Sequence, residues 1–336
     1  MYLALIALST VLQDGAKGYL SGRVDVGDSL LFSAGSFFVA AVLFGAAHLL
    51  TARSRPAAAR RAPGERRAVL RLCAAMNVLT AVCFLSVYTA LTWIPAALTN
   101  GVTAAVGPLV VACAGLRGRT RPAAATWAFA GALLAAGLVL AVRMGGGPGG
   151  LTGPGSRYGL LLAAVAGVAV ALLAVVSRRL ADLGVGTTQV MAVRFHLTYV
   201  LAAALIALRG GPGAGWTADL PRLALLGVVA VVLPLYLLQI GLQRTDPLPA
   251  VVVLATSPAV AYAAQVAFGA AFDAVTAVLI GVLIALAAAG SAHGARAARS
   301  RRAAAPAPGD APRPPGPAPA ERPARALTGR SAGSSR

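Results

Sequence analysis

Stretches of about twenty apolar residues recur ten times along the chain, and nothing else constrains its fold as tightly. The hydrocarbon core of a bilayer is about 30 Å thick and a helix rises 1.5 Å per residue, so about 20 apolar residues cross it. The stretches lie near 2–20, 29–50, 72–92, 95–116, 123–142, 158–177, 187–208, 222–243, 247–269 and 273–292. None alternates strictly between apolar and polar residues, so helices rather than barrel strands are the expected spanning elements. Composition agrees: 58% of the 336 residues are hydrophobic and 12% charged, where a soluble domain carries about 25% charge. The expected fold class is an all-α integral membrane protein with ten transmembrane helices. The first stretch begins at Met1 without a basic lead or a small-residue cleavage pattern, and is read as a retained span.

The formal net charge of +19 would point to nucleic acid in a soluble chain. Here the arginines cluster between apolar runs and in the last residues, without interleaved aromatics or a phosphate loop, so nucleic acid is not an expected partner. With the N-terminus inside, the inner loops hold Arg53, Arg55, Arg60, Arg61, Arg66, Arg67, Arg71, Arg117, Arg119, Arg121, Arg178, Arg179 and Arg244. The outer loops hold only Lys17, Arg23, Arg143, Arg157, Arg209 and Arg222. That bias obeys the positive-inside rule and puts both termini in the cytoplasm, in a multi-pass protein of the plasma membrane. Cys73, Cys83 and Cys113 form no C-x-x-C pair, so no disulfide framework and no metal site is expected.

Residues 293–336 are rich in Pro, Ala, Gly and Arg and read as a disordered basic cytoplasmic tail. Arg296, Arg299, Arg301 and Arg302 beside the last span could meet anionic lipid; the plainer reading is a solvated tail. The two halves correspond weakly to each other. YTALTWIPAALTNGVTAAVGPLVVACAG (88–115) resembles LQIGLQRTDPLPAVVVLATSPAVAYAAQVAFG (238–269), and GDSLLFSAGSFFVAAVLF (27–44) lies over GTTQVMAVRFHLTYVLAA (186–203). The expected organisation is a first five-span repeat over 1–142, a Gly-rich outer loop over 143–157 and a second repeat over 158–292. Five is odd, so the copies insert with opposite orientation, a transporter architecture whose substrate site lies near the midplane between the halves.

Lys17 late in the first span, Gly107-Pro108, its second copy Ser257-Pro258, and Arg194 early in the seventh span follow the order of features in a known family. Over residues 1–292 the chain resembles the EamA-like members of the drug/metabolite transporter superfamily. The resemblance implies ten spans in two repeats and a transport activity. That family often carries a second Arg in the second span, whereas the repeat equivalent of Arg194 here is Gly35.

An ionisable side chain within a span costs about 2.5–3.5 kcal/mol on insertion scales and marks a functional candidate. Arg194 lies about 12 Å into its span at 1.5 Å per residue and would share a helical face with Met191 and Thr198. It is read either as a group binding an anionic or zwitterionic solute or as a structural Arg satisfied by carbonyls. His196 points to another face and is read as a polar residue hydrogen-bonded between helices, with Tyr199 as a candidate partner. Asp14 and Lys17, three apart, can pair, and are the coupling candidates. Further solute-binding candidates are Tyr88, Asn100, Gln189, Tyr236, Gln239, Tyr262 and Gln265, with Asn77, Thr103 and Thr256 as other polar groups within spans. The same side chains can glue helices together. Pro108 and Pro258 mark hinges or cavities. Gly131, Gly137, Gly159, Gly167, Gly281 and Gly290 are expected to permit close helix packing, and Trp93 and Tyr158 to anchor the outer interface.

No phosphate-loop motif is present, so a gradient, exchange or the solute itself would supply the energy, with no cofactor. The expected function is secondary transport of a small organic metabolite or drug-like solute, outward, by alternating access. A membrane-embedded lipid-modifying enzyme is the alternative, and would need clustered carboxylates or histidines that the spans do not supply; a non-transport scaffold is the other. Expected partners are the solute and the surrounding lipid, with a homodimer left open.

Overall fold

A computed structural model describes residues 2–53, 63–117, 124–145, 154–212, 216–244 and 253–303. Helices dominate these residues and no strand occurs among them. In chain order they are α1 (Tyr2–Leu20), α2 (Val26–Arg53), α3 (Pro63–Ala90), α4 (Ala96–Arg117), α5 (Ala124–Gly145), α6 (Pro154–Asp182), α7 (Thr187–Val193), α8 (His196–Leu208), α9 (Trp216–Gly227), a π-helical turn (Val228–Val232), α10 (Leu233–Arg244), α11 (Ser257–Ala267) and α12 (Ala274–Ala303). Seven helical stretches among the described residues are long and apolar enough to cross a membrane, and Ala96–Val110 is a shorter apolar one. The outward faces carry large apolar side chains such as Leu138, Leu208 and Val278. Lipid accepts such faces where water would not, and the protein is a multi-pass membrane protein.

Hydropathy ends where charge begins, but the helices do not. α3 starts nine residues before the expected third span, because Arg66, Arg67 and Arg71 continue the helix. α12 runs on to Ala303, past the limit of 292 read from sequence; Arg296, Arg299, Arg301 and Arg302 therefore lie on that helix, and the rest of the tail lies outside the described residues. The described residues up to Ala295 form one compact unit, and a second begins at Arg296. α6 and α11 stop in the same way. Gly184 and Gly269 have φ of +68° and +105°, and the bonds Val185 N–H to Leu180 O (3.0 Å) and Ala270 N–H to Gln265 O (2.9 Å) close the last turn. Only glycine enters this left-handed region without strain.

α1 packs on α10 and α11; α2 on α7, α8 and α9; α3 on α6 and α8; α4 on α5, α6 and α11. One apolar core joins α2 and α3 to α6, α7, α8 and α10 around Phe32, Phe37, Phe84, Tyr88 and Phe195, and a second joins α4 to α5, α11 and α12 around Leu98, Leu140 and Ile280. Close approach is achieved where a Cβ would collide: Gly137 meets Ala105, Gly167 meets the Thr103 carbonyl, Gly159 meets Ile94 and Gly290 meets Phe129. Gly131 and Gly281, expected to do the same, have nothing within 4 Å and do not mediate a contact.

Candidate functional site

The seventh apolar stretch is not one helix. α7 ends at Val193 and α8 starts at His196, with Arg194 and Phe195 in a turn between them. In an unbroken helix the Leu197 N–H would donate to the Val193 carbonyl. Instead the amide of Asn77, from α3, stands between them: its Nδ2 donates to Val193 O at 2.6 Å and its Oδ1 accepts from Leu197 N at 3.3 Å. A side chain inserted into the helical ladder is a recognised cause of a break. Both freed backbone groups are satisfied, as the hydrocarbon interior demands. The one-helix face expected for Met191, Arg194 and Thr198 is thereby interrupted at Arg194, because a side chain distant in sequence replaces the hydrogen bond that would have kept the helix continuous.

Among the described residues, Arg194 at this interruption has no oxygen acceptor. Its Nη1 lies 4.0 Å from Met191 Sδ, the guanidinium sits 5.3 Å from the Phe195 ring centre, and Nε is buried with no hydrogen-bond partner. Thr198 Oγ1, Thr80 Oγ1, Tyr88 OH and Ser36 Oγ are also buried without a partner. On α3, positions 77, 80, 84 and 88 recur at helical spacing and share a face. Phe84 lies 4.8 Å from Phe37, Phe37 5.7 Å from Phe195, and Tyr88 5.0 Å from Phe32, so an aromatic cluster adjoins the break. Tyr88 was singled out from sequence. Thr198 was expected on the face of Arg194; Thr80 and Ser36 were not singled out, because a hydroxyl in a helix normally bonds its own backbone and gives no signal.

A second polar cluster lies between α1 and α4. Lys17 Nζ donates to Asp14 Oδ1 at 2.8 Å, and Asn100 Nδ2 donates to the same oxygen at 3.1 Å. Asp14 and Lys17 are both buried, so the carboxylate is paired and further hydrogen-bonded.

At the ends of α1 and α11, next to the start of α4, polar groups tie the helices together. Gln265 accepts from Ala97 N at 3.0 Å and donates to Ser21 Oγ at 3.3 Å, and Ser21 Oγ accepts from Ala96 N at 3.1 Å. Arg23 donates to Tyr19 O at 2.8 Å and to Phe268 O at 2.5 Å. A cavity of about 350 Å³ opens beside this end, lined by Tyr19, Arg23, Asp28, Ile206, Arg209 and Trp216 among others. Tyr262 accepts from Asp273 N at 2.6 Å and donates to Asp273 O at 3.0 Å, pinning the turn before α12. Tyr262 and Gln265 are thus occupied by structural bonds. The hydroxyl of Thr276, with its N–H and Arg143, holds the Asp273 carboxyl below the usual carboxylate range against the opposing cost of desolvation.

Tyr236 is exposed, with its ring 6.1 Å from Phe44, and Gln189 and Gln239 are half-buried. His196 is exposed, edge-on to Tyr199 at 5.9 Å. The Trp93 ring lies tilted beside Tyr158, 6.3 Å between ring centres, and rests on Gly155 and Gly159. Pro108 sits inside α4 without interrupting it, whereas Pro258 occupies the first turn of α11, where its missing N–H costs nothing. The π-helical turn precedes Pro234, whose ring would clash with a regular turn behind it.

Residues 157–291 match the model of the EamA-like transporter family. A solved crystal structure, described only as that of a protein, is similar over 86% of this chain and 95% of its own, with 24% identity and a TM-score of 0.57. That likeness speaks for the fold alone. No curated protein matches the chain.

Proposed function

Residues 157–291 are an EamA-like segment of the drug/metabolite transporter superfamily, and from that premise we propose that the protein is a secondary transporter that carries a small organic solute out of the cell by alternating access. It does so with ten spans in two inverted five-helix repeats, both termini in the cytoplasm. In this numbering α7 with α8 is the seventh span, α9 with α10 the eighth, α11 the ninth and α12 the tenth.

The packing supports the repeat. If span n corresponds to span n+5, contacts between the halves come in exchanged pairs. α1 on α10 pairs with α3 on α6; α1 on α11 pairs with α4 on α6; α2 on α9 pairs with α3 on α8. A two-fold relation between halves produces this pattern, and rocking of one half against the other exposes a shared midplane site to each side in turn.

The observation that carries the solute site is Arg194: a guanidinium inside the bundle, at an interrupted helix of one half, fixed by Asn77 from the other half, with no carboxylate against it among the described residues. Tyr88 lies in the aromatic cluster beside it. Asp14 and Lys17, buried as a pair and touched by Asn100, are the candidates for coupling, since a change in either charge alters what α1 and α4 can share. The cluster Arg296, Arg299, Arg301 and Arg302 beside the last span is the candidate for meeting anionic lipid of the inner leaflet.

The test is comparative. Small molecules inside and outside cells are profiled for the wild type, Arg194→Ala and an empty vector. The expected result is a solute enriched outside with the wild type alone, with Arg194→Ala present in the membrane at normal level. Normal export by that variant would remove Arg194 from the site.

A further inference from the structure

We propose that the interruption of span seven is a carboxylate site, in which Arg194 takes the carboxylate of an organic monoanion whose apolar or aromatic body lies against the Phe195–Phe37 cluster. This rests on the transporter reading above and names its substrate class.

Three groups within the described spans carry charge away from the helix ends. Asp14 and Lys17 cancel each other at 2.8 Å. Arg194 has no counter-charge among the described residues. A guanidinium offers five N–H donors in a planar fork; here they meet one sulfur at 4.0 Å and one ring face, and Nε meets nothing. A low-dielectric interior does not leave such a fork empty without cost. The complement in shape and charge is a carboxylate, which accepts two parallel N–H bonds from one Arg. One uncompensated positive charge matches a monoanion better than a phosphate dianion, and repels an organic cation despite the aromatic faces. Thr198 Oγ1, on the first turn of α8 and fully buried, is likewise unpartnered among the described residues.

Asn77 is the positioning residue of this site. Its amide replaces the Val193–Leu197 bond. Without it those two groups can bond directly, the helix becomes continuous, and Arg194 swings with the turn that carries it.

The full-length protein in phosphatidylcholine nanodiscs is titrated with acetate, benzoate, phenylacetate and indole-3-acetate, and with phenylacetamide as the neutral isostere. At least one aromatic carboxylate is expected to bind at least tenfold more tightly than phenylacetamide. Arg194→Met is expected to lose that preference. Arg194→Lys keeps the charge without the fork and decides the matter if the Met variant does not fold, with an expected loss of at least threefold. Asn77→Ala is expected to weaken the carboxylates while leaving phenylacetamide unchanged, a selectivity that general destabilisation would not give. No binding by any carboxylate, equal binding of the amide, or unchanged affinity in Arg194→Lys overturns the proposal. Protein-dependent counterflow separates it from the transporter reading. A carboxylate that binds but is never exchanged across proteoliposomes refutes transport and keeps the site; a neutral or cationic solute exchanged without competition from any carboxylate refutes the site and keeps transport.

Discussion

Gly18→Ala is the most direct probe of how the two halves meet. A Cβ at position 18 would stand 2.6 Å from Ala264 Cβ and 2.7 Å from the Ala261 carbonyl oxygen, with Gln265 N at 3.2 Å. Carbon atoms pack best at about 3.5–4.0 Å, so α1 and α11 have to part by about 1 Å at this level. Neither obstacle can yield alone: one is a backbone atom and the other a methyl with no rotamer. Parting the helices stretches the bonds from Gln265 to Ser21 and from Ala97 to Gln265, now 3.3 and 3.0 Å. Overpacking costs about 1–3 kcal/mol and each lost hydrogen bond about 1 kcal/mol, against a helix-propensity gain of about 1 kcal/mol for replacing glycine. The net loss is about 3 kcal/mol, which for a chain of this size lowers Tm by roughly 4 °C. Gly15, three residues earlier on α1, has nothing within 4 Å, so Gly15→Ala should leave Tm unchanged or slightly raised. Thermal unfolding of the purified protein in one detergent, followed by intrinsic fluorescence, compares the three. A Gly18→Ala protein melting within 1 °C of wild type would refute the close approach.

Breaking the buried pair by Lys17→Met should destabilise by about 3–5 kcal/mol, and adding Asp14→Asn should recover much of that loss, because the first change strands a carboxylate and the second neutralises it; a double-mutant cycle on Tm measures this. Asn77→Ala should slow hydrogen exchange at Leu197, because the helix closes across the break and the Val193 carbonyl takes that N–H; unchanged or faster exchange would remove Asn77 from that role. The Asp273 carboxyl has a pKa held below its unfolded value, so its contribution is present above the unfolded value and lost as pH falls through the folded one. Exchange at Thr276, corrected for intrinsic rate, should therefore rise in that acid window and lose its pH step in Asp273→Asn. Gly35→Ala, with open space around position 35, should be tolerated in both Tm and membrane level.

The apolar lengths of the spans were readable in one dimension, because transfer into hydrocarbon adds residue by residue along a segment. The Asp14–Lys17 pair was readable for the same reason: three residues on one helix turn fix their distance whatever the rest of the chain does. Arg194 stood out by its cost. What it would face did not, since the interruption beside it contains neither proline nor glycine and is made by Asn77, 116 residues away. Gln265 and Tyr262, polar in apolar runs, read equally well as ligands for a solute; their bonds to Ser21, Ala97 and Asp273 are known only once α1, α4, α11 and the turn before α12 are brought together. Glycines divide in the same way, Gly18 and Gly167 being pressed against a neighbouring helix and Gly131 and Gly281 standing free. Partitioning into lipid is local and additive, so sequence determined it. In an interior without water each polar group must find its partner on another helix, and only the tertiary structure decides which groups are satisfied and which, like the Arg194 guanidinium, are left to a ligand.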